Sequence, residues 1–150
     1  MYCSIIAVVI DLTFLESALN QLARALAFAK KEENGDPQLF EQFRNSVIQT
    51  FEFSYELSYK TLRRVLIDRA AASEEIDTLE FRDLIRYAAR AQLVDEPSRW
   101  FEYRTARNKT SHAYQESYAM DTYAIAPRFL LDAQELLTRL QQNGVHDEPE

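Results

Sequence analysis

At 150 residues the chain fits a single domain and is long enough to bury a sizeable core. Hydrophobic residues make up 47% of it, and two glycines are too few for a protein built on many tight β-turns, so helices are favoured. A net charge of −7 argues against a surface that binds nucleic acid generally, and the single cysteine, Cys3, excludes an internal disulfide or a zinc cluster made of cysteines.

Residues Met1 to Ile10 are apolar but lack the basic start of a signal peptide and are too short to span a bilayer. They read as an extra packed segment, or as an extension ahead of the domain proper. A cytoplasmic location with no membrane attachment is expected, which also suits the lone thiol. A first helix is predicted from Asp11 or Leu12 to Lys31. Leu12, Leu15, Leu19, Leu22, Leu26 and Ala29 recur at steps of three and four, Asp11 is suited to cap the start, and Asn34-Gly35 ends the element. Asp36-Pro37 signals a second start, a capping side chain followed by proline at the first helical position. That helix is predicted to run to about Asp68, with Phe40, Phe43, Val47, Phe51, Tyr55, Leu62 and Leu66 on its main face. Its other aromatics, Phe53 and Tyr59, point elsewhere, so a partner subunit is expected over a second face.

Ala70 to Thr78 reads as a weakly ordered connection. A third helix is predicted over Leu79–Ala91, with Phe81, Leu84, Ile85 and Ala88 inward. Asp95-Glu96-Pro97 starts a fourth, anchored by Trp100 and carrying Arg104 and Arg107. A fifth is predicted over Ser117–Gln142, with Tyr123, Leu130, Ala133, Leu137 and Leu140 on its stripe and a kink near Tyr123 imposed by Pro127. Asn143-Gly144 stops it. The fold class is all-α: an antiparallel bundle of about five helices over residues 11–142, with residues 1–10 as an extension and 143–150 as a disordered acidic tail.

Charge is uneven along the chain. Residues 81–112 carry seven basic and four acidic side chains, a local +3 on an otherwise acidic protein. No glycine-rich phosphate loop is present, so the chain is not expected to bind a nucleotide cofactor by that route. With only His112 and His146, a histidine metal site is not expected either, and no cofactor or metal is assigned. What remains is Arg107 and His112, flanked by Asn108 and Tyr114. Arginine offers a planar fork of donors that matches phosphate. Histidine moves protons near neutral pH. Together they make a minimal kit for cleaving RNA without a metal. His112 would take the proton of a ribose 2′-OH or give one to the leaving oxygen, while Arg107 holds the phosphate.

Five helical steps turn side chains about 500°, so the two would not share a face within a helix. They can converge only where the helix ends or loosens, and Asn-Lys-Thr-Ser is placed for that. A two-fold dimer would bring two such pairs to one groove. A purely structural reading of the same residues pairs Arg107 with Glu102 or Glu116 and lets His112 cap a helix end. Glu52, Glu56 and Lys60, at four-residue spacing, read first as ordinary helix support. If the groove runs beside them, Glu56 or Lys60 would instead orient the site.

At these residues the chain resembles the HEPN superfamily, in the branch of nucleotidyltransferase substrate-binding proteins close to HepT toxins. That branch extends an Arg-x4-His signature to Arg-x4-His-x-Tyr, met here by Arg107, Asn108, His112 and Tyr114. Phe51-Glu52, Tyr55-Glu56-Leu57, Lys60, Phe81-Arg82-Asp83, Leu93 and Trp100 also follow the branch pattern in order, so the likeness covers about residues 11–142. The resemblance implies a four-helix up-and-down core that forms homodimers. It implies a metal-independent ribonuclease acting as a toxin on RNA. It also implies an antitoxin partner, a minimal nucleotidyltransferase of the MntA kind, that transfers AMP to Tyr114. The older family name implies a rival role, a non-catalytic subunit that presents substrate to the nucleotidyltransferase.

Overall fold

A computed structural model describes residues 10–69 and 78–142. The expectations for residues 1–9, for the connection over 70–77 and for the tail over 143–150 lie outside the described residues. Ile10 is buried in the core.

Helix α1 (Thr13–Lys31) starts under the Asp11 side chain, whose carboxylate accepts the Thr13 N–H at 2.8 Å. Leu12, Leu15, Leu19, Leu22 and Ala29 are buried as predicted, with Leu26 partly so. Helix α2 (Pro37–Arg69) starts as its sequence signals, with Asp36 accepting the Gln38 N–H at 2.9 Å. Its 33 residues make a rod of about 50 Å. Val47, Phe51, Tyr55, Leu62 and Leu66 form the buried face, while Phe40 and Phe43 sit at its edge. The second face is not wholly left for a partner. Tyr59 packs on Phe81 of helix α3 (Phe81–Arg90), with ring centres 5.4 Å apart.

The end of α3 carries no glycine signal, and the backbone accepts a strained residue there. Gln92 adopts φ 62°, which lets the Leu93 N–H bond the Ala88 carbonyl at 3.0 Å and turns the Leu93 side chain into the core. Helix α4 (Pro97–Asn108) has proline in its first turn and buries Trp100 and Tyr103. Helix α5 (Glu116–Gln142) continues past Pro127, which supplies no N–H to the ladder. Its predicted stripe is turned partway round the rod. Ala133, Leu137 and Leu140 are buried, but Tyr123 and Leu130 are only partly covered, and Ala119, Ala126, Phe129 and Leu136 lie deeper. The reason is that α5 packs on α1, α2 and α4 at once, so apolar residues occupy more than one of its faces.

The described helices form an up-and-down bundle of α1, α2, α4 and α5, with α3 as a short fifth element against α2 and α4. Helix α5 runs opposite to α4: Arg99 meets Asp132, and one turn later on α4 Glu102 meets Arg128, one turn earlier on α5. It runs opposite to α1 and in the same sense as α2. Phe129 sits at the centre, fully buried, with ring centres 5.1 Å from Phe51 of α2 and 5.2 Å from Tyr103 of α4, both edge-on. Trp100 and Tyr55 lie just beyond, at 6.1 and 6.3 Å. Such pairs add roughly 0.5–1.5 kcal/mol each to simple burial. Phe129→Ala is therefore expected to cost about 3–5 kcal/mol in denaturant unfolding at unchanged slope. A loss below about 1 kcal/mol would show that the ring is not the packing centre.

Candidate active site

The motif segment is built by the end of α4. The helix stops at Asn108, and one 3-10 turn, Thr110–His112, leads toward α5. Thr110 lies just past the stop. It is buried, and its hydroxyl donates to the Arg107 carbonyl at 2.8 Å, closing the last helical turn. The His112 N–H then bonds the Lys109 carbonyl at 2.9 Å, and the Gln115 N–H bonds the His112 carbonyl at 2.9 Å. The chain is thus tied turn by turn across the motif. The loosening expected at Asn-Lys-Thr-Ser is present, as a hydrogen-bonded turn.

That turn does not bring Arg107 and His112 into a hydrogen bond. Arg107 points to α2. Its Nε lies 2.9 Å from Glu56 Oε1 and its Nη2 3.6 Å from Glu52. The Nε–H is buried and is not aligned on an acceptor, so the closer contact is an ion pair without hydrogen-bond geometry. All three side chains keep some exposure, 28% for Arg107, which limits what the pair contributes to stability. The structural reading from sequence named the wrong acids. Glu102 pairs with Arg128, and Glu116 with Arg44. Nor do Glu56 and Lys60 support one another. Glu56 is taken by Arg107, and Lys60 is exposed with no ion-pair partner among the described residues.

His112 is exposed, with ring centres 6.2 Å from both Tyr114 and Tyr118. Asn108 is exposed at the last position of α4. Tyr114 projects into solvent at 80% exposure, beside an open groove of about 490 Å³ between α2 and the motif turn. Glu41, Arg44, Asn45, Gln49, Glu52 and Glu116 line the groove with polar groups, and Ile48 gives it an apolar patch.

Arg44 was not foreseen. It is 5% exposed, and its guanidinium makes a fork with Glu116, Nη1 to Oε1 at 2.6 Å and Nη2 to Oε2 at 2.9 Å. Met120 Sδ accepts from the same Nη1 at 3.1 Å. The fork pins the start of α5, and with it the motif turn, to α2. A signal was available. Arg44 falls inside the apolar stripe between Phe40, Phe43, Val47 and Ile48, where an arginine has to find an acid. The hydrogen bond from Arg44 holds the Glu116 carboxyl below the ordinary glutamate value.

Comparisons with known proteins fit this geometry. Residues 10–142 match the family described as nucleotidyltransferase substrate binding protein like. The chain belongs to that family. A member-like relative from Haemophilus influenzae, named "Probable ribonuclease HepT", is 41% identical over 100 residues, spanning 67% of this chain and 68% of the relative. A solved Haemophilus influenzae structure, described as revealing the fold of a substrate binding domain of a nucleotidyltransferase, superposes with a TM-score of 0.82 at 32% identity. It covers 88% of this chain and 100% of its own. The helical bundle is therefore the fold of this nucleotidyltransferase substrate-binding family.

The Arg44–Glu116 fork predicts a pH dependence. A carboxyl held low in the folded state stabilises above its ordinary value and loses that contribution as pH falls through the lowered one. Glu116→Gln should therefore lower the melting temperature relative to wild type at about pH 6, and the gap should close by about pH 2.5. A gap that persists in acid would assign the loss to packing and not to the charge.

Proposed function

We propose that this chain is a metal-independent endoribonuclease toxin, working as a homodimer and silenced by a minimal nucleotidyltransferase that transfers AMP to Tyr114. The observation that carries the reading is the exposed imidazole of His112, presented on a fixed turn immediately after the helix that holds Arg107. The similarity to a protein named as a ribonuclease supports it.

In the proposed reaction the imidazole removes the proton from a ribose 2′-OH. The 2′-oxygen attacks the adjacent phosphorus, the 5′-oxygen leaves with a proton, and a cyclic phosphate and a free 5′-hydroxyl result. Arg107 stabilises the charge that grows on the phosphate oxygens. Within one chain that guanidinium is neutralised by Glu56 and Glu52, so a phosphate must compete with them for it. A second copy across a two-fold axis would add another arginine and another imidazole, which serves the two proton transfers of the reaction. In silencing, the Tyr114 oxygen attacks the α-phosphorus of ATP, pyrophosphate leaves, and the phenol proton is lost. The high exposure of Tyr114 gives a transferase access to it, and the added phosphate would repel RNA close to His112.

A second reading keeps the chain as a non-catalytic substrate-binding subunit of the nucleotidyltransferase. The capture of Arg107 by two carboxylates favours it, and so do the family description and the description of the solved relative. Expression of the chain alone separates the two. The ribonuclease reading expects growth arrest and RNA fragments ending in cyclic phosphate. His112→Ala should slow cleavage by about a hundred- to ten-thousandfold, and Arg107→Gln should also impair it. Intact RNA with wild type, or equal cutting by wild type and His112→Ala, leaves the binding-subunit reading. Incubation with the nucleotidyltransferase and ATP should add AMP to wild type and not to Tyr114→Phe.

A further inference from the structure

Several arginines on this protein are spent on acids: Arg44, Arg99, Arg107, Arg128 and Arg139 each lie in an ion pair. The face shared by α3 and α4 is different. The Arg82 guanidinium lies 4.5 Å from the centre of the Phe101 ring, and Arg86 approaches the same ring at 5.6 Å. Arg104 lies 4.4 Å from the centre of Phe81. The two rings meet edge-on at 6.2 Å, so the stacks form one continuous surface. Arg82 and Arg104 are exposed and have no carboxylate partner among the described residues, while Arg86 is shared with Asp83 at 3.2 Å. Arg104 precedes Arg107 by three residues on α4, a rise of only about 4.5 Å. The surface therefore leads directly to the motif.

A guanidinium held over a ring has lost little of its donor capacity. Its edge still offers paired N–H groups to phosphate oxygens, and its outer plane can take a stacked base. The ring restricts where the charge can go, so less side-chain freedom is lost on binding. Planar cations backed by aromatics suit a single strand, whose bases can splay and stack on the outer guanidinium planes. The deep, narrow major groove of an A-form duplex would not admit them.

We propose that Arg82 and Arg104, set on Phe101 and Phe81, form a track for single-stranded RNA that holds the backbone beside the phosphate at Arg107. This track rests on the ribonuclease reading given above. It would give an acidic protein a local grip on RNA without a generally basic surface.

The test uses the full chain carrying His112→Ala, so that RNA is bound and not consumed, and a fluorescein-labelled single-stranded RNA of about twelve nucleotides. Affinity is measured by anisotropy across a salt series, with cleavage by the His112-containing protein followed in parallel. Adding Arg82→Gln and Arg104→Gln should weaken binding at least tenfold and make the slope of log affinity against log salt shallower by about 1.4. Arg24→Gln on α1 should leave both unchanged. Arg82→Lys with Arg104→Lys should keep the slope but lose affinity severalfold. That pair decides the matter should the glutamine variant fail to fold by circular dichroism, and unchanged affinity there overturns the track. If RNA is bound and cut but the glutamine pair changes neither affinity nor slope, the track falls and the ribonuclease reading stands. If no RNA is bound or cut, both fall. If the pair leaves RNA binding intact but releases the nucleotidyltransferase, the face is a protein-docking surface and the proposal is overturned.

Discussion

The edge-on contact of Phe129 with Phe51 and Tyr103 is the constraint on which the rest of this structure depends. One ring from α5 is closed between a ring from α2 and a ring from α4, so three of the four core helices are fixed at the same depth. Around the rim of that cluster, polar groups complete the fit. The Tyr103 hydroxyl donates to Asp132 and accepts from Arg128 Nε at 3.3 Å, and Arg99 Nη1 reaches Asp132 at 3.3 Å. Burial is the main cause that pushes the Tyr103 phenol far above its ordinary value, with the Asp132 bond acting in the same direction. Tyr103 therefore stays neutral and donates at every physiological pH, and the α4–α5 register does not depend on titration there.

Fixing α4 against α2 has a chemical consequence about one turn further on. Arg107 leaves α4 on the side that faces α2, where Glu52 and Glu56 stand one turn apart. A lone guanidinium at this depth would be costly to desolvate, so the two carboxylates are what allow the helix pair to close around it. The same pairing lowers its availability to a phosphate. An anion that reached Arg107 would have to displace those acids. At 28% exposure the ion pair is partly solvated, which limits what it contributes to stability.

Much of the fold was legible because its boundaries are set by local chemistry. Asp11, Asp36-Pro37 and Pro97 act within a turn of themselves, and helix ends read from them fall within a residue or two of those observed. The inward face of α3 was also read correctly, since a ten-residue helix has room for a single apolar stripe, which serves both α2 and α4. Helix α5 was misphased because it touches three neighbours, and periodicity alone cannot rank two apolar faces. At the site, the motif residues were found by type and spacing, yet their partners were not. Glu52, Glu56 and Lys60 show an i,i+4 series that fits helix support equally well. Only the crossing of α4 over α2 reveals that Glu56 belongs to Arg107, some fifty residues away. Thr110 gave no signal, because a hydroxyl that bonds a carbonyl three residues back looks like any threonine in a polar loop.

The distribution of charge follows the same logic. An acidic protein can place arginines freely on its surface, because carboxylates are at hand to neutralise many of them. A cation stays available only where geometry keeps acids away. On α3 and α4 the rings of Phe101 and Phe81 lie beneath the guanidiniums of Arg82 and Arg104, and Glu102, the acid on α4, pairs with Arg128. Aromatic support orients the guanidinium without by itself excluding an acid: Arg86 over Phe101 still pairs with Asp83, whereas Arg82 over the same ring has no carboxylate partner among the described residues. Net charge describes the average of such choices and is silent about the face where they differ, which is why a protein of net −7 can still present an unquenched pair of arginines next to its motif.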